Sequence, residues 1–135
     1  MRGWRRGDDR GVSALELAII APSLLLLIFF VIQAALYFYG RSVALQAARE
    51  AVSQLRLQQT VAQCQSSVGS VSTYAKSYAA DVGGNFVQAF AVTKVDCGTD
   101  QVTVTVTAHS ISLIGIDFPI TETVSGQVEH FQSPQ

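Results

Sequence analysis

The sequence predicts an α+β protein in which a long N-terminal helix, transmembrane and then amphipathic, precedes a small antiparallel β-sheet head. Three observations predict this class. Residues Leu17–Gly40 carry no charge, a helical repeat of small apolar residues continues after them, and Gln101–Ala108 alternates valine with threonine. Helical and strand patterns therefore occupy separate parts of the chain, as in α+β proteins.

The apolar stretch is long enough to span a membrane. Leu17–Gly40 is 24 residues, and at about 1.5 Å per residue a helix of this length crosses a hydrocarbon layer of about 30 Å. A cleaved secretory signal is the alternative, but its apolar region normally has about 7 to 15 residues and ends in small side chains. This stretch ends in Tyr37-Phe38-Tyr39, which suits a membrane interface. We assign the transmembrane segment to about residues 17–39.

The basic residues around this segment predict its orientation. Arg2, Arg5, Arg6 and Arg10 precede it, whereas only Arg41 follows it closely. Flanking Lys and Arg remain on the cytoplasmic side. We expect a single-pass protein of the cytoplasmic membrane with a cytoplasmic leader (residues 1–11), the N-terminus inside and the C-terminus outside. The head would then be extracytoplasmic.

The helical pattern continues after the membrane segment. Apolar residues recur there every three or four positions, and they are Val43, Ala44, Ala47, Ala48, Ala51, Val52 and Leu55. Polar residues occupy the opposite face, so residues 40–59 predict an amphipathic extension. The expected helix covers residues 12–59, far longer than the globular average of about 11 to 12 residues.

Residues 60–135 predict the α+β head. A polar stretch comes first, and a short helix follows over Val71–Val82, ended by Gly83-Gly84. The expected strands are Phe86–Val95, Gln101–Ala108 and Ile120–Phe131. Ile111–Ile116 either extends the second strand or forms a loop. A head of this size needs the long helix or a disulfide to complete its core.

Cys64 and Cys97 are the two cysteines of the chain. Outside the cytoplasm they meet an oxidising environment, which favours a disulfide, and two cysteines allow one intramolecular pairing. Two buried free thiols are the alternative.

Composition argues against several functions. The net charge is −1 and 14% of residues are charged, so there is no basic stripe for a nucleic acid. His109 and His130 lack metal-ligand spacing, and Asp96 and Asp100 suit a turn. No phosphate loop or nucleophile motif occurs. We therefore expect no metal, no cofactor and no enzymatic activity.

The N-terminal motif is the most informative part of the sequence. Glu16 lies at the start of the apolar run, where a carboxylate costs at least about 2.5 kcal/mol on insertion scales. One interpretation places it at headgroup level, where an acid complements the first turn of a helix. The other is functional, because Gly11 stands five positions before it in Arg10-Gly11-Val12-Ser13-Ala14-Leu15-Glu16.

This spacing resembles the processing site of type IV prepilins, which a membrane peptidase cuts after a glycine five positions before a glutamate. A wider set of residues resembles the TadE-like family of minor pilins or pseudopilins in tight-adherence (Tad/Flp) pilus systems. The set consists of Arg10-Gly11, Ala14, Glu16, Ala18, Pro22, the leucine block and Ala47-Ala48-Arg49-Glu50-Ala51. The resemblance covers roughly residues 10 to 55.

The resemblance implies a role in pilus assembly. Gly11 would end the leader, Val12 would become the N-terminus, and Glu16 would act in assembly. The implied partners are the membrane, a prepilin peptidase and other pilin-like subunits or the Tad assembly platform. Pro22 would be a point that loosens the helix during extraction into a filament, or simply a bend.

Two other functions fit the residues. An uncleaved, signal-anchored envelope protein with an extracytoplasmic binding module would retain its leader. A secreted enzyme would be released from the membrane and would need a polar cleft. Processing of the leader separates the pilin interpretation from the first of these.

Overall fold

The computed structural model describes the backbone of residues 9–129 and side chains from Ser13 to Glu129. The cytoplasmic leader assigned to residues 1–11 and the C-terminal tail therefore lie largely outside the described residues. Residues up to Ala34 form one compact unit and those from Ala35 form a second. The elements are a long helix, a second helix and a small three-stranded antiparallel sheet, which confirms the α+β class.

Helix α1 covers Asp9–Leu55 and continues through Pro22 without interruption. From Ser13 it is the one helix in the described part of the chain that is long and apolar enough to cross a membrane. Its apolar window has a mean hydropathy of 2.7, and none of that window is buried. By its length and composition, this helix fits a single membrane span.

Helix α1 ends at Leu55 rather than near Gln59. The Gln58 amide donates to the Leu55 carbonyl at 3.1 Å, which closes a turn. Thr60 then caps helix α2, Val61–Gly83, because its side chain accepts a hydrogen bond from the Gln63 amide at 3.2 Å. A threonine at this position favours a new helix over continuation of the old one.

The second helix begins at Val61, ten positions before the predicted start at Val71. Serines of the polar stretch are accommodated because their hydroxyls donate to carbonyls one turn earlier. The Ser66 hydroxyl donates to the Gln63 carbonyl and the Ser70 hydroxyl to the Ser67 carbonyl, both at 2.9 Å. The predicted end is confirmed, with Gly84 as the cap at φ 52°, a conformation that favours glycine.

The sheet is a meander of β1 (Val87–Cys97), β2 (Gln101–Ser110) and β3 (Phe118–Gln127) in the order β1-β2-β3. Both pairings are antiparallel. A short 3-10 helix, Gly84–Phe86, connects α2 to β1. The three predicted strands are confirmed with shifted ends, and the chain between β2 and β3 forms a loop. The last residues of the predicted third strand lie outside the described residues.

One core joins the second part of α1 to the sheet and to α2. On β2, Val102, Val104 and Val106 are at most 1% exposed, whereas the intervening threonines face away. The small residues of α1 belong to the same core, and they are Val43, Ala44, Ala47, Ala48, Ala51, Val52 and Leu55. Small side chains allow a helix backbone to approach a sheet closely. The head therefore includes the amphipathic extension of α1.

A disulfide joins Cys64 of α2 to Cys97 at the end of β1, with the Cα atoms 6.1 Å apart. The pairing considered from the sequence is thus present in the structure. It attaches the start of α2 to the β1–β2 hairpin, next to a small cavity lined by Thr60, Thr99 and Val128 among others.

Removing this cross-link should destabilise the head. The cysteines are 33 positions apart, and closing a loop of this length contributes about 3 to 4 kcal/mol in the chain-entropy model. We expect Cys64→Ser/Cys97→Ser to lower the free energy of unfolding by about this amount. Pulse proteolysis in urea, on the full chain in detergent, measures it. Wild-type protein reduced with dithiothreitol is the control, and equal stability of all three samples would contradict the prediction.

At Gly126, strand β3 lies close to α1. A Cβ atom at Gly126 would lie 2.5 Å from Val52 Cγ1, which is far inside normal contact. Gly126→Ala should therefore cost about 1 to 3 kcal/mol through overpacking. Gly69 is the matched control, because it lies in α2 with no atom within 4 Å of its Cβ position. Gly69→Ala should stabilise the protein by about 0.5 to 1 kcal/mol. A similar sign for both variants in the same unfolding assay would contradict this packing.

Candidate assembly site in the N-terminal helix

Helix α1 carries the residues that the sequence singles out for processing and assembly. Gly11 and Val12 lie in its first turn, and Glu16 follows four positions after Val12. Residues four apart lie on the same face of a helix. The side chain of Val12 lies outside the described residues.

Glu16 is the only acidic or basic residue between Val12 and Arg41. The structure leaves its side chain exposed, at the edge of the apolar surface of the helix. A carboxylate at such a position is costly to place in lipid and gains from a cationic partner. The position suits contact with a second molecule.

The apolar surface after Glu16 extends around the whole helix. Large apolar side chains there are 38–72% exposed, and they are Leu17, Ile19, Ile20, Leu24, Leu25, Leu26, Leu27, Ile28, Phe29, Phe30, Val31 and Ile32. At the start of this surface, Ala14 and Ala18 are one turn apart and provide the small-residue spacing that lets membrane helices approach closely. This surface can take part in lateral association in a membrane.

Further along α1, aromatic and basic side chains attach the helix to the rest of the head. The Tyr39 hydroxyl donates to the Val82 carbonyl at 2.7 Å, near the end of α2. The Tyr39 ring packs edge-on against Phe86 with centroids 6.0 Å apart. Tyr37 makes a similar contact with Phe118 at 6.4 Å. These contacts fix the helix from residue 37 onward within the head.

An ion pair adds to this attachment. The guanidinium Nε of Arg41 donates to Oε1 of Glu122 on β3. The hydrogen bond and the charge of Glu122 raise the pKa of Arg41 above its ordinary value. The ion pair holds the Arg41 side chain directly after the apolar segment, where basic residues anchor helices at membrane interfaces.

Sequence reasoning missed these attachments. Tyr37 and Tyr39 were identified only as interface aromatics, and Arg41 only as a flanking charge. Their partners lie 43 to 81 positions further along the chain, so no local pattern pairs them. By contrast, Gly11, Glu16 and Pro22 are predicted from the sequence because they stand close together in it, and their roles stay predictions.

The described residues contain little other site chemistry. They hold no group of three His, Cys, Asp or Glu side chains that could bind a metal. The Nδ1 atom of His109 lies 3.4 Å from a carboxylate oxygen of Asp117. That pair connects β2 to the loop that follows it.

One apolar N-terminal helix followed by a small α+β head fits a single-pass membrane protein. The family model described as TadE-like protein matches residues 11–53. This match confirms the resemblance predicted from the sequence. It begins at Gly11, includes Glu16 and Pro22, and covers about a third of the chain.

No curated protein and no solved structure matches the chain. The similarity to known proteins therefore rests on the TadE-like family model alone. TadE-like pilins are a structural rather than an enzymatic family, and the match implies a role related to Tad pili. It also suggests association with a membrane and with other pilin-like proteins.

Proposed function

We propose that this protein is a TadE-like minor pilin or pseudopilin that takes part in the assembly of a Tad (Flp) pilus. The observation that carries the proposal is the TadE-like match over residues 11–53, which begins at the glycine of the candidate processing site. The apolar surface of α1 supports it, because the chain itself leaves that surface uncovered. The partners would be other pilin-like subunits or the Tad assembly platform.

The proposed protein is anchored in the cytoplasmic membrane by residues 17–39, with its leader inside and residues 60–135 outside. It would reach the pilus or cell surface after assembly. Four arginines in the first ten residues support this orientation. The Cys64–Cys97 disulfide also supports it, because disulfides form and persist outside the cytoplasm.

Processing would be a hydrolysis by a prepilin peptidase between Gly11 and Val12. Water adds across the peptide bond, the C–N bond breaks, and the products are a leader carboxylate and an α-ammonium group at Val12. Glycine at the cut leaves the backbone unhindered for the peptidase. The new cation lies at the start of the helix that carries Glu16.

In the assembled state, Glu16 would pair with the α-ammonium group of Val12 on a neighbouring subunit. Each charge reduces the cost of burying the other in a low-dielectric environment. Because apolar side chains pack without strong directionality, this pair would set the register between neighbouring helices. Pro22 removes one backbone donor near the pair, so the helix there could loosen as the subunit leaves the membrane.

Processing is tested by coexpressing the full chain with an active prepilin peptidase or with a catalytically inactive one. With the active peptidase only, we expect the intact mass to fall by the mass of residues 1–11 and the N-terminal residue to be Val12. Gly11→Val should block the cut because a branched side chain hinders the scissile bond. Gly7→Val, also in the leader, is the matched control and should be cut normally. A retained Met1 with the active peptidase would favour the uncleaved, signal-anchored binding module instead.

The register pair is tested by Glu16→Ala in a strain that makes pili. The variant should still be processed, but the number of pili per cell should fall about tenfold or more. A loss of about 1.4 kcal/mol of subunit association free energy lowers the association constant tenfold. Electron microscopy counts the pili. Ser13→Ala, an exposed polar position one turn earlier, is the control and should leave the number unchanged. Unchanged pilus number in Glu16→Ala would remove the register role.

A further inference from the structure

The loop that joins β2 to β3, residues 111–117, carries an unusual amount of exposed apolar surface. Leu113, Ile114 and Ile116 are 52%, 52% and 53% exposed. The loop contains no Lys or Arg, and its acidic residue is Asp117, which contacts His109. Adjacent large apolar side chains on a loop mark an interaction surface.

This loop lies at the end of the head where α1 enters it. Its flanking residues Ser110 and Phe118 pair across β2 and β3. A Cβ atom at Gly40 would lie 3.6 Å from the Cβ of Ser110, and the ring of Phe118 packs against Tyr37. The loop is therefore next to the residues that directly follow the apolar segment.

Two more exposed apolar side chains lie at the same end of the head. Phe86 and Val82 are 48% and 41% exposed. The Phe86 carbonyl accepts a hydrogen bond from the amide of Ile111 at 3.1 Å, and its ring packs against Tyr39. We define the apolar rim as the side chains Val82, Phe86, Leu113, Ile114 and Ile116.

Backbone amides at the tip of the loop have hydrogen-bond partners, as a low-dielectric environment requires. Ser112 Oγ accepts hydrogen bonds from the amides of Ile114 and Ile116, at 3.2 and 3.3 Å. Backbone donors that lack water must be satisfied within the protein. The amides of two exposed apolar residues of the loop, Ile114 and Ile116, are thus paired.

We propose that the apolar rim is a lipid-binding surface that enters the headgroup and acyl boundary of the leaflet from which α1 emerges. The inference rests on the proposed function only in that residues 17–39 span a membrane. Tyr37 and Tyr39, the last aromatics of that segment, themselves contact Phe118 and Phe86. The rim thus adjoins the aromatic residues at the end of that segment. Trp, Phe and Leu are the side chains that typically insert to this depth.

The opposite end of the sheet provides an internal reference. The β1–β2 turn at residues 98–100 is separated from the loop by the length of strand β2. This strand has 10 residues, which span about 30 Å at roughly 3.3 Å per residue. Thr99 is exposed in that turn. A probe there should remain in water when the rim is in lipid.

Tryptophan fluorescence in nanodiscs tests the proposal with the full chain. The native tryptophan is removed by Trp4→Phe, and single probes are added as Ile114→Trp in the rim, Thr99→Trp in the distal turn and Phe30→Trp in the apolar segment. Brominated phosphatidylcholine quenches a tryptophan that contacts the acyl chains. We expect quenching of Ile114→Trp to reach at least half the fractional loss of Phe30→Trp, and Thr99→Trp to be unaffected.

Each other outcome has a definite meaning. Quenching of Phe30→Trp without quenching of Ile114→Trp overturns the rim proposal and leaves the membrane anchor intact. If Phe30→Trp is also unquenched, the membrane-spanning part of the proposed function fails. A blue-shifted but unquenched Ile114→Trp means that protein, not lipid, covers the rim, and this also overturns the proposal. Leu113→Trp repeats the measurement at the adjacent position.

Discussion

The fold of the head depends on one core that a small-residue face of α1 shares with the valine face of β2. Ala44, Ala47, Ala48 and Ala51 are 0% exposed, and so are Val104 and Val106. Alanine loses no side-chain entropy when it is buried, and it lets the helix axis lie close to the sheet. Larger residues on this face would separate the layers, and polar residues would bury unsatisfied groups.

Because of this packing, the core of the head takes its residues from α1 as well as from α2 and the sheet. The strands and α2 supply too few large apolar residues for a core of their own, so α1 from residue 35 completes it. A three-stranded sheet gains independent stability only when its apolar face is covered. The disulfide secures the remaining end, where α2 begins and the β1–β2 hairpin turns.

Much of the fold could be predicted because its signals are local. The apolar segment, the valine–threonine alternation of β2 and the glycine pair after α2 are each visible within about a dozen residues. The start of α2 was missed because serine and glycine have low helix propensity. In the structure, a threonine cap, hydroxyl bonds to earlier carbonyls and the disulfide at Cys64 compensate for that low propensity. These compensations depend on geometry that a local window does not contain.

The candidate site has two parts, which differ in how far apart their interacting residues stand in the sequence. Gly11 and Glu16 lie five positions apart in one helix, so the proposed processing and assembly residues can be predicted from a short stretch of sequence. The contacts of Tyr39 and Arg41 form no motif, since each joins α1 to a residue from a distant element. Helix α1 is apolar and exposed over most of its surface before residue 34, and from Val43 onward one of its faces belongs to the head core. The strands bury only one face, which leaves their outer positions free to vary without loss of the fold.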